Sequence, residues 1–419
     1  MSEKLKRSID NTRDLNLKEM VSINTLLYRG VSEINPDAES LRNAAERDKL
    51  KVYLGIDPTS PELHIGHSVP LRKIGQFQEL GHEVKLLFGT FTGMIGDPTD
   101  KSSTRVLLSE EQVVKNIRTY IEQAGKIINL SEDAKNPIAI VHNHEWLGKL
   151  GFAEIVDLAS NFSVQQLEKR SMFKTRRDQE KPIWLHEFLY PLMQAYDAVA
   201  MDIDVEVGGS DQIFNMMIGR DLVKRYLNKE KWCVAGHLVV GTDGSKMGKS
   251  ANNFINIQDL PESKFETVMS WSDKSMPLNL ELLTRVPAEV ITQFKHALEN
   301  GSIHPMELKQ ALAFRIVAEL DGVEEAKFAE EEFDRVLRKK QTVRRPMEII
   351  VQAENTLPEI LVIGGLASDQ KEAYHLLTSG VVRINGRVVQ KRTTRISESG
   401  SIVQLGKSTI RNVRKIIIN

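Results

Sequence analysis

Two short stretches of the chain, His64-Ile65-Gly66-His67 and Lys246-Met247-Gly248-Lys249-Ser250, combine residue types that bind phosphate groups. Each stretch places two such side chains three residues apart, imidazoles in the first and ammonium groups in the second. At a helix N-terminus, imidazoles with this spacing face the same way, beside backbone N–H groups and the positive end of the helix dipole. Such a place suits a triphosphate. The two lysines lie in a glycine-containing loop that is able to close over the same phosphates.

The apolar runs around these stretches indicate the elements that must position them. Short apolar runs alternate with helical patterns from about residue 50 to residue 255, which predicts an α/β fold with a doubly wound parallel sheet. Ligands bind such sheets at the carboxyl ends of the strands. The turn Asp57-Pro58-Thr59 follows the first strand, so the next helix is expected to start near His64. Strands are predicted at Val52–Ile56, Val84–Phe88 and Ile138–His142, and helices at Val69–Glu79 and Ser109–Ile127.

The remaining segments divide into three kinds. Residues 1–50 are expected to be largely helical, because apolar residues such as Leu17 and Ile23 recur at helical spacing. Residues 256–340 lack strand patterning and are predicted to be all-helical, and the charged residues 341–357 are predicted to form a linker. Residues 358–419 are expected to form a small α+β domain, where Asn385-Gly386 predicts a tight hairpin turn.

The composition is that of an ordinary globular protein, with 41% hydrophobic and 27% charged residues. No apolar run approaches the roughly 20 residues of a membrane helix, and no hydrophobic segment follows the charged N-terminus. We therefore expect neither a membrane span nor a secretory signal. The single cysteine, Cys233, excludes an internal disulfide framework and fits a reducing cytoplasm.

The net charge of −1 hides an uneven distribution. Residues 361–419 contain ten Lys or Arg and three Asp or Glu, so this segment carries +7 and the rest of the chain carries −8. A basic module on a mildly acidic body favours the docking of a polyanion at one end. A solvated basic surface is the alternative.

The histidine and lysine stretches together resemble the signature motifs of the class I aminoacyl-tRNA synthetases. Four further blocks narrow the resemblance to the bacterial-type tyrosyl-tRNA synthetases, over essentially the whole chain. The resemblance implies a Rossmann-like catalytic domain over 51–255 with a dimerisation region inserted at roughly 130–205, an anticodon-side domain over 256–340 and an RNA-binding domain over 358–419. The blocks are Tyr53-Leu54-Gly55-Ile56-Asp57-Pro58-Thr59, Phe91-Thr92-Gly93-Met94-Ile95-Gly96-Asp97-Pro98, Tyr190-Pro191-Leu192-Met193-Gln194-Ala195-Tyr196-Asp197 and Gly208-Gly209-Ser210-Asp211-Gln212.

The resemblance implies a pocket that reads the phenol hydroxyl of tyrosine with a donor and an acceptor, Tyr53 and Asp197. Phenylalanine in that pocket would leave both groups unpaired, which is costly. The oxygens expected around the α-ammonium group belong to Asp97, Tyr190 and Gln194. The whole tyrosine-binding set that the resemblance implies is Tyr53, Asp57, Asp97, Tyr190, Gln194, Asp197 and Gln212.

The same resemblance implies that L-tyrosine reacts with ATP to give tyrosyl-adenylate and pyrophosphate, and that tyrosine then passes to the 3′ end of tRNA(Tyr). ATP is a substrate that brings Mg²⁺ with it, and no tightly bound cofactor or protein-bound metal is expected. An H-x-H pair, His142 and His144, lacks a third ligand at suitable spacing for zinc. Ribose contacts are expected from Asp211, with Asp57 as a second candidate. The ATP-binding set is His64, Gly66, His67, Asp211, Lys246 and Lys249, and the catalytic set is His64, His67, Lys101, Arg105, Lys246 and Lys249.

The C-terminal domain resembles a small RNA-binding domain shared with a ribosomal protein, and the family forms homodimers on which tRNA spans both subunits. A second basic cluster at 169–177 has two open interpretations, a guide for the acceptor stem or a solvated face. The phosphate contacts that we expect in the C-terminal domain are Lys371, Arg383, Arg387, Lys391, Arg392 and Arg395.

Two other functions compete with this interpretation. A tryptophanyl enzyme has closely related motifs, but it gives no reason for Tyr53 together with Asp197. A non-catalytic RNA-binding relative has no use for lysines that close over phosphates. The sequence departs from the common bacterial pattern at Gly248, Pro70 and Ile213-Phe214, which affects details around the site and not the predicted reaction.

Overall fold

The structure is a computed structural model that describes residues 3–96, 109–241, 247, 254–339, 341, 343–406, 409 and 412–419. The chain divides into two compact units. One unit comprises residues 16–258 and 272–301, and the other comprises residues 1–15, 259–271 and 302–419. None of the helices within the described ranges is long and apolar enough to cross a membrane.

The strands of the described residues form two sheets, one in each unit. In chain order they are β1 Val31–Asn35, β2 Lys51–Ile56, β3 Glu83–Phe88, β4 Ala139–His142, β5 Val205–Gly209, β6 Trp232–Gly236, β7 Met347–Val351, β8 Val382–Ile384, β9 Arg387–Val388, β10 Ile402–Leu405 and β11 Val413–Ile418.

Helices connect and cover these strands. They are α1 Glu3–Thr12, α2 Ile23–Tyr28, α3 Ala38–Arg47, α4 Ser68–Glu79, α5 Thr92–Ile95, α6 Glu110–Gly125, α7 His144–Leu147, α8 Phe152–Ser160, α9 Val164–Leu167, α10 Ser171–Asp178, α11 Leu185–Ala200, α12 Ile213–Leu227, α13 Pro261–Met269, α14 Met276–Leu283, α15 Ala288–Glu299, α16 Pro305–Asp321, α17 Val323–Phe333, α18 Leu357–Ile363 and α19 Gln370–Thr378. The described residues also form short 3₁₀ turns at Ile65–His67, Ser210–Gln212 and Asp273–Ser275 and a π turn at Asp334–Arg338.

The larger sheet has the strand order β1-β6-β5-β2-β3-β4. Strands β2 to β6 run parallel, and β1 pairs antiparallel with β6 at one edge. The chain moves outward in one direction through β2, β3 and β4 and in the other through β5 and β6. The order therefore reverses between β2 and β5, which is where doubly wound sheets bind their ligands. The predicted α/β architecture with a parallel sheet is confirmed.

The central strands are apolar because both of their faces are covered. Val52 and Leu54 of β2, Leu86 of β3 and Val207 of β5 are all buried. Alternation of apolar and polar residues is absent from such strands, so a continuous apolar run is their signature. The exception is Gly55, which is exposed although its strand lies in the middle of the sheet.

The smaller sheet has the order β7-β11-β10-β8-β9, with only the β7–β11 pair parallel. Helices α18 and α19 pack against it through a core that includes Leu357, Leu361, Leu377 and Val403. The predicted hairpin turn is confirmed: Asn385 and Gly386 have φ angles of 49° and 82° between β8 and β9. Positive φ at both positions is what a type I′ turn requires.

Two strands were not predicted. Strand β1 lies within residues 1–50, for which helices were expected, and β7 lies within residues 341–357, which were expected to form a linker. Each is a short edge strand with several exposed positions, so neither shows a buried apolar run. The remaining domain boundaries stay predictions.

Candidate active site

The site lies at the carboxyl ends of the strands on both sides of the point where the strand order reverses. Asp57 directly follows β2, and the turn Ser210–Gln212 directly follows β5. The register of the two strands pairs Tyr53 with Glu206. The parallel pairing therefore brings together side chains that are far apart in the sequence.

A hydrogen-bonded network links four elements around Asp57. Thr92 Oγ1 donates to Asp57 Oδ1 at 2.7 Å, and Tyr190 Oη donates to Asp57 Oδ2 at 2.8 Å. Asn143 Nδ2 lies 3.0 Å from Thr92 Oγ1 and 3.2 Å from Asp197 Oδ2. The network thus joins the ends of β2, β3 and β4 to helix α11.

Gly89, between β3 and α5, is required for this network. A Cβ atom at this position would collide with Asp57 Oδ1 and Thr92 Oγ1. Only glycine allows the backbone to approach the carboxylate so closely.

Asp197 lies at the inner end of the network. It is buried, and Trp146 Nε1 donates to its Oδ1 at 2.7 Å while Asn143 donates to Oδ2. The pKa of Asp197 lies well above its ordinary value because the carboxyl is buried, and these two hydrogen bonds lower the pKa only in part. The two donors therefore support the ionised carboxylate in a place that disfavours charge.

Tyr53 lies near enough to Asp197 for the charge of this carboxylate to raise the pKa of its hydroxyl. The Tyr53 side chain is buried, and its hydroxyl has no partner in good hydrogen-bonding geometry among the residues that the structure describes. Burial raises the pKa of Tyr53, and the charges of Glu206 and Asp197 raise it further, so the hydroxyl stays protonated. A buried O–H donor beside a buried acceptor matches the phenol hydroxyl of a bound ligand.

Exposed Gly55 of β2 lies between Tyr53 and Asp57 in the sequence. A glycine inside a central strand marks a place where a ligand approaches the backbone. Two predicted tyrosine-binding residues contact a common neighbour nearby: Asn215 Nδ2 donates to Gln194 Oε1 at 2.8 Å and to Gln212 Oε1 at 3.1 Å.

The histidine stretch forms a 3₁₀ turn that leads directly into α4. The rings of His64 and His67 lie with their centroids 3.9 Å apart. The Gly66 N–H donates to His64 Nδ1 at 3.1 Å, so a neutral His64 carries its proton on Nε2. An Nε2–H group is a donor, which is what phosphate oxygens need.

Backbone pairing brings the segment after the lysine stretch to the histidine stretch. Ile65 N donates to Ile255 O at 2.7 Å, Ile257 N donates to Leu63 O at 2.9 Å, and His64 forms a bridge with Asn256. Five predicted residues lie outside the described residues and stay predictions. They are Asp97, Lys101, Arg105, Lys246 and Lys249.

Asp57 and the histidine turn follow β2 in the chain, and Asp211 and Gln212 directly follow β5. Tyr53 lies within β2, and Tyr190, Gln194 and Asp197 lie on α11. Trp146, Asn143, Thr92, Glu206 and Asn215 were not predicted. The first two come directly after the predicted strand Ile138–His142, and a search for polar groups at strand ends could have found them.

The six predicted RNA contacts lie in the unit that contains residues 302–419, here called the C-terminal unit, and all of them are exposed. Arg383 and Arg387 flank the β8–β9 turn, and the Arg392 guanidinium lies 4.7 Å from the centre of the Tyr374 ring on α19. In the second basic cluster Arg170 is buried and Arg176 donates to both oxygens of Glu187 at 2.6 and 2.8 Å. The second cluster is therefore not a uniformly solvated face.

Comparison with known proteins identifies the class. The family model of the class I tRNA synthetases for tryptophan and tyrosine matches residues 45–338, and the chain belongs to this family. Within it, the chain is 40% identical to a tyrosine–tRNA ligase of Moorella thermoacetica, over 91% of this chain and 93% of that protein. It is 41% identical to the tyrosine–tRNA ligase of Haemophilus influenzae, over 94% of this chain and 98% of that protein. The chain is thus a member of the tyrosine–tRNA ligases.

Solved structures show the same fold. The crystal structure of tyrosyl-tRNA synthetase from Archaeoglobus fulgidus, complexed with L-tyrosine, superposes with a TM-score of 0.60 at 22% identity. The superposition covers 74% of this chain and 98% of that chain.

We predict that Trp146→Phe reduces the preference for tyrosine over phenylalanine about tenfold, because a hydrogen bond to a charged group contributes roughly 1.5 kcal/mol or more. The measurement is the ratio of kcat/KM for the two amino acids in ATP–pyrophosphate exchange. Trp232→Phe is the matched control. Trp232 Nε1 donates to Ser40 Oγ at 2.9 Å at the start of β6, away from the carboxyl ends of the strands where the site lies. Equal losses in the two variants would contradict the role of Trp146.

Proposed function

We propose that the chain activates L-tyrosine with ATP at this site and transfers the tyrosyl group to the 3′ end of tRNA(Tyr). The observation that carries the proposal is the buried Tyr53 hydroxyl beside the Asp197 carboxylate. Tyr53 donates a hydrogen bond to the phenol oxygen of the substrate, and Asp197 accepts a hydrogen bond from the phenol O–H group. The indole of tryptophan has one N–H donor and no acceptor, so it cannot satisfy both groups.

Tyrosine activation needs no general base, because the substrate carboxylate is already an anionic nucleophile. One carboxylate oxygen attacks the α-phosphorus of ATP, the bond from that phosphorus to the β-phosphate oxygen breaks, and pyrophosphate leaves with the electron pair. Catalysis then consists of positioning the reactants and stabilising the charge that grows on the phosphate oxygens. In the second step a terminal ribose hydroxyl of the tRNA attacks the adenylate carbonyl and AMP leaves.

The histidine turn is the proposed contact for ATP. His64 and His67 present imidazole N–H groups at the start of α4, where backbone N–H groups and the helix dipole also favour an anion. Gly66 allows the close approach, and Asp211 is proposed at the ribose. We assign pyrophosphate to Lys101, Arg105, Lys246 and Lys249 from the motif alone, and Mg²⁺ arrives with the triphosphate.

Exposed apolar residues in the inserted region support a homodimer. Phe152 and Leu185 are 82% and 78% exposed, and Trp184, Val156 and Val164 are more than half exposed. Large exposed apolar groups that cluster in one region mark an interaction surface. Sedimentation velocity distinguishes two chains per particle from one, and a monomer at micromolar concentration would contradict the dimer. The proposed location is the cytoplasm, as expected from the single cysteine.

The direct test of the proposed function is amino-acid-dependent ATP–pyrophosphate exchange with tyrosine, tryptophan and phenylalanine. We expect exchange with tyrosine, and a loss of about a hundredfold in kcat/KM for Asp197→Ala, since a buried partner of the phenol disappears. Asp221→Ala, at an exposed position of α12, is the control for folding and should exchange normally.

Exchange with tryptophan in place of tyrosine would keep the class and overturn the substrate. Folded protein that exchanges with none of the three amino acids would leave an RNA-binding relative as the better account.

The exposed basic residues of the C-terminal unit generate a separate prediction for tRNA. Arg383→Gln together with Arg387→Gln should weaken tRNA binding and lower the slope of log K against log salt by about two, one for each lost phosphate contact. Tyrosine-dependent exchange should stay unchanged. Lys415→Gln is the control in the same unit, because Lys415 pairs with Glu348 at 2.9 Å. An unchanged salt slope in the double variant would remove these arginines from the interface.

A further inference from the structure

A series of buried, hydrogen-bonded polar side chains leads from the sheet to the proposed tyrosine pocket. Lys231 and Glu206 form an ion pair on β5 and the segment before β6, and their side chains are 0% and 3% exposed. Glu206 Oε1 accepts from Gln194 Nε2 at 2.9 Å. Asn215 Nδ2 then donates to both Gln194 Oε1 and Gln212 Oε1.

The Glu206 charge at the start of this series sets the direction of each amide group that follows. An ionised carboxylate only accepts hydrogen bonds, so Gln194 must turn its Nε2 toward Glu206 and its Oε1 toward Asn215. Asn215 must then offer Nδ2, which has two hydrogens, one for each glutamine oxygen. Gln212 Oε1 faces Asn215, so its Nε2 is directed away from Asn215.

Lys231 is the ion-pair partner of Glu206, the first member of the series. Its ammonium group supplies the opposite charge within the protein interior and also donates to the Met216 carbonyl at 3.1 Å. Breaking such a buried pair by removing one partner is strongly destabilising, whereas the paired state keeps Glu206 as an obligatory acceptor.

From this arrangement we infer that Asn215 is a positioning residue for Gln212. Glu206 fixes the amide orientation of Gln194, and Asn215 transmits that orientation to the amide of Gln212. This inference rests on the proposed function, in which Gln194 presents its oxygen to the α-ammonium group of tyrosine. Gln212 presents its NH₂ group to the tyrosine carboxylate, the group that attacks ATP.

The burial of Asn215 argues against a purely structural role. Asn215 is 0% exposed, and its Oδ1 has no hydrogen-bond partner among the described residues. A buried amide with an unpaired carbonyl is unfavourable, and an apolar residue of similar size would avoid this loss. The amide is therefore useful here for its two N–H donors.

Asn215→Asp tests the inference with two ligands, L-tyrosine and tyramine, which lacks the carboxylate. The new carboxylate accepts only, so Gln212 must turn its NH₂ group inward and present its oxygen to the tyrosine carboxylate. We expect the Kd of L-tyrosine, measured by calorimetry without ATP, to rise at least tenfold. The Kd of tyramine should change less than twofold.

Asn215→Leu separates the amide direction from simple charge repulsion. Leucine has similar size and no charge, so the tyrosine-to-tyramine affinity ratio should still fall several-fold in this variant, because Gln212 loses its hydrogen bond from Asn215. The variant also keeps the test informative if Asn215→Asp does not fold, since an apolar side chain suits a buried site. Circular dichroism establishes that each variant is folded.

Three results would overturn the inference: equal weakening of both ligands in a folded variant, an unchanged affinity for tyrosine, or a ratio that falls only in the charged variant. If the wild type binds neither ligand, the proposed function is wrong and the inference falls with it. If the wild type binds tyrosine and the variants leave the ratio unchanged, only the inference is wrong.

Discussion

The hydrogen-bonded network from Asp57 through Thr92 and Asn143 to Asp197 is the constraint on which the rest of the site depends. It joins groups that follow three neighbouring parallel strands to a helix that lies beyond them in the chain. Because each member both receives and gives a hydrogen bond or carries a charge, a shift of one element displaces the others. The positions of the three strands therefore determine the position of the Asp197 carboxylate.

The interior of this unit carries several ionisable groups that a stable core would avoid. Asp197, Glu206 and Lys231 are all buried, and each costs folding free energy in a medium of low polarity. Two hydrogen bonds to Asp197 and the opposite charges of Glu206 and Lys231 offset this cost. Such preoriented groups favour ligand binding, because they lose little conformational entropy when the ligand binds.

Two separate sets of hydrogen-bonded side chains thus contact the two ends of the proposed substrate. At the phenol end, Trp146 and Asn143 hold Asp197 as an acceptor beside the Tyr53 donor. At the amino-acid end, the Glu206 charge orients a series of amides. Both devices rest on the same fact of topology: β2 and β5 are neighbours at the point where the strand order reverses.

The sequence alone was sufficient to predict the features that depend on residues lying close together in the chain. Buried strands such as β2 and β3 have continuous apolar runs, the histidine stretch follows its strand at short range, and the Asn385-Gly386 turn has a distinctive residue pair. Strands β1 and β7 escaped prediction because edge strands bury few residues.

The supporting residues escaped for a different reason. Glu206 faces Tyr53 only through the register of β2 with β5, and Asn215 acts on Gln194 only through the packing of α12 on α11. No spacing along the chain encodes such contacts between distant segments. Isolated polar residues in helices, such as Asn215, also look like ordinary surface positions until the fold shows that they are buried.

The central claim is that a buried donor and a buried acceptor read the phenol hydroxyl, and equilibrium binding without ATP tests it most directly. The measurement compares the Kd of L-tyrosine with that of L-phenylalanine for the wild type and for Asp197→Asn, which preserves the side-chain shape. The account predicts that the wild type prefers tyrosine by about a hundredfold or more, because phenylalanine leaves two buried polar groups unpaired, and that the preference falls sharply in the variant. Similar affinities of the wild type for both amino acids would contradict the account.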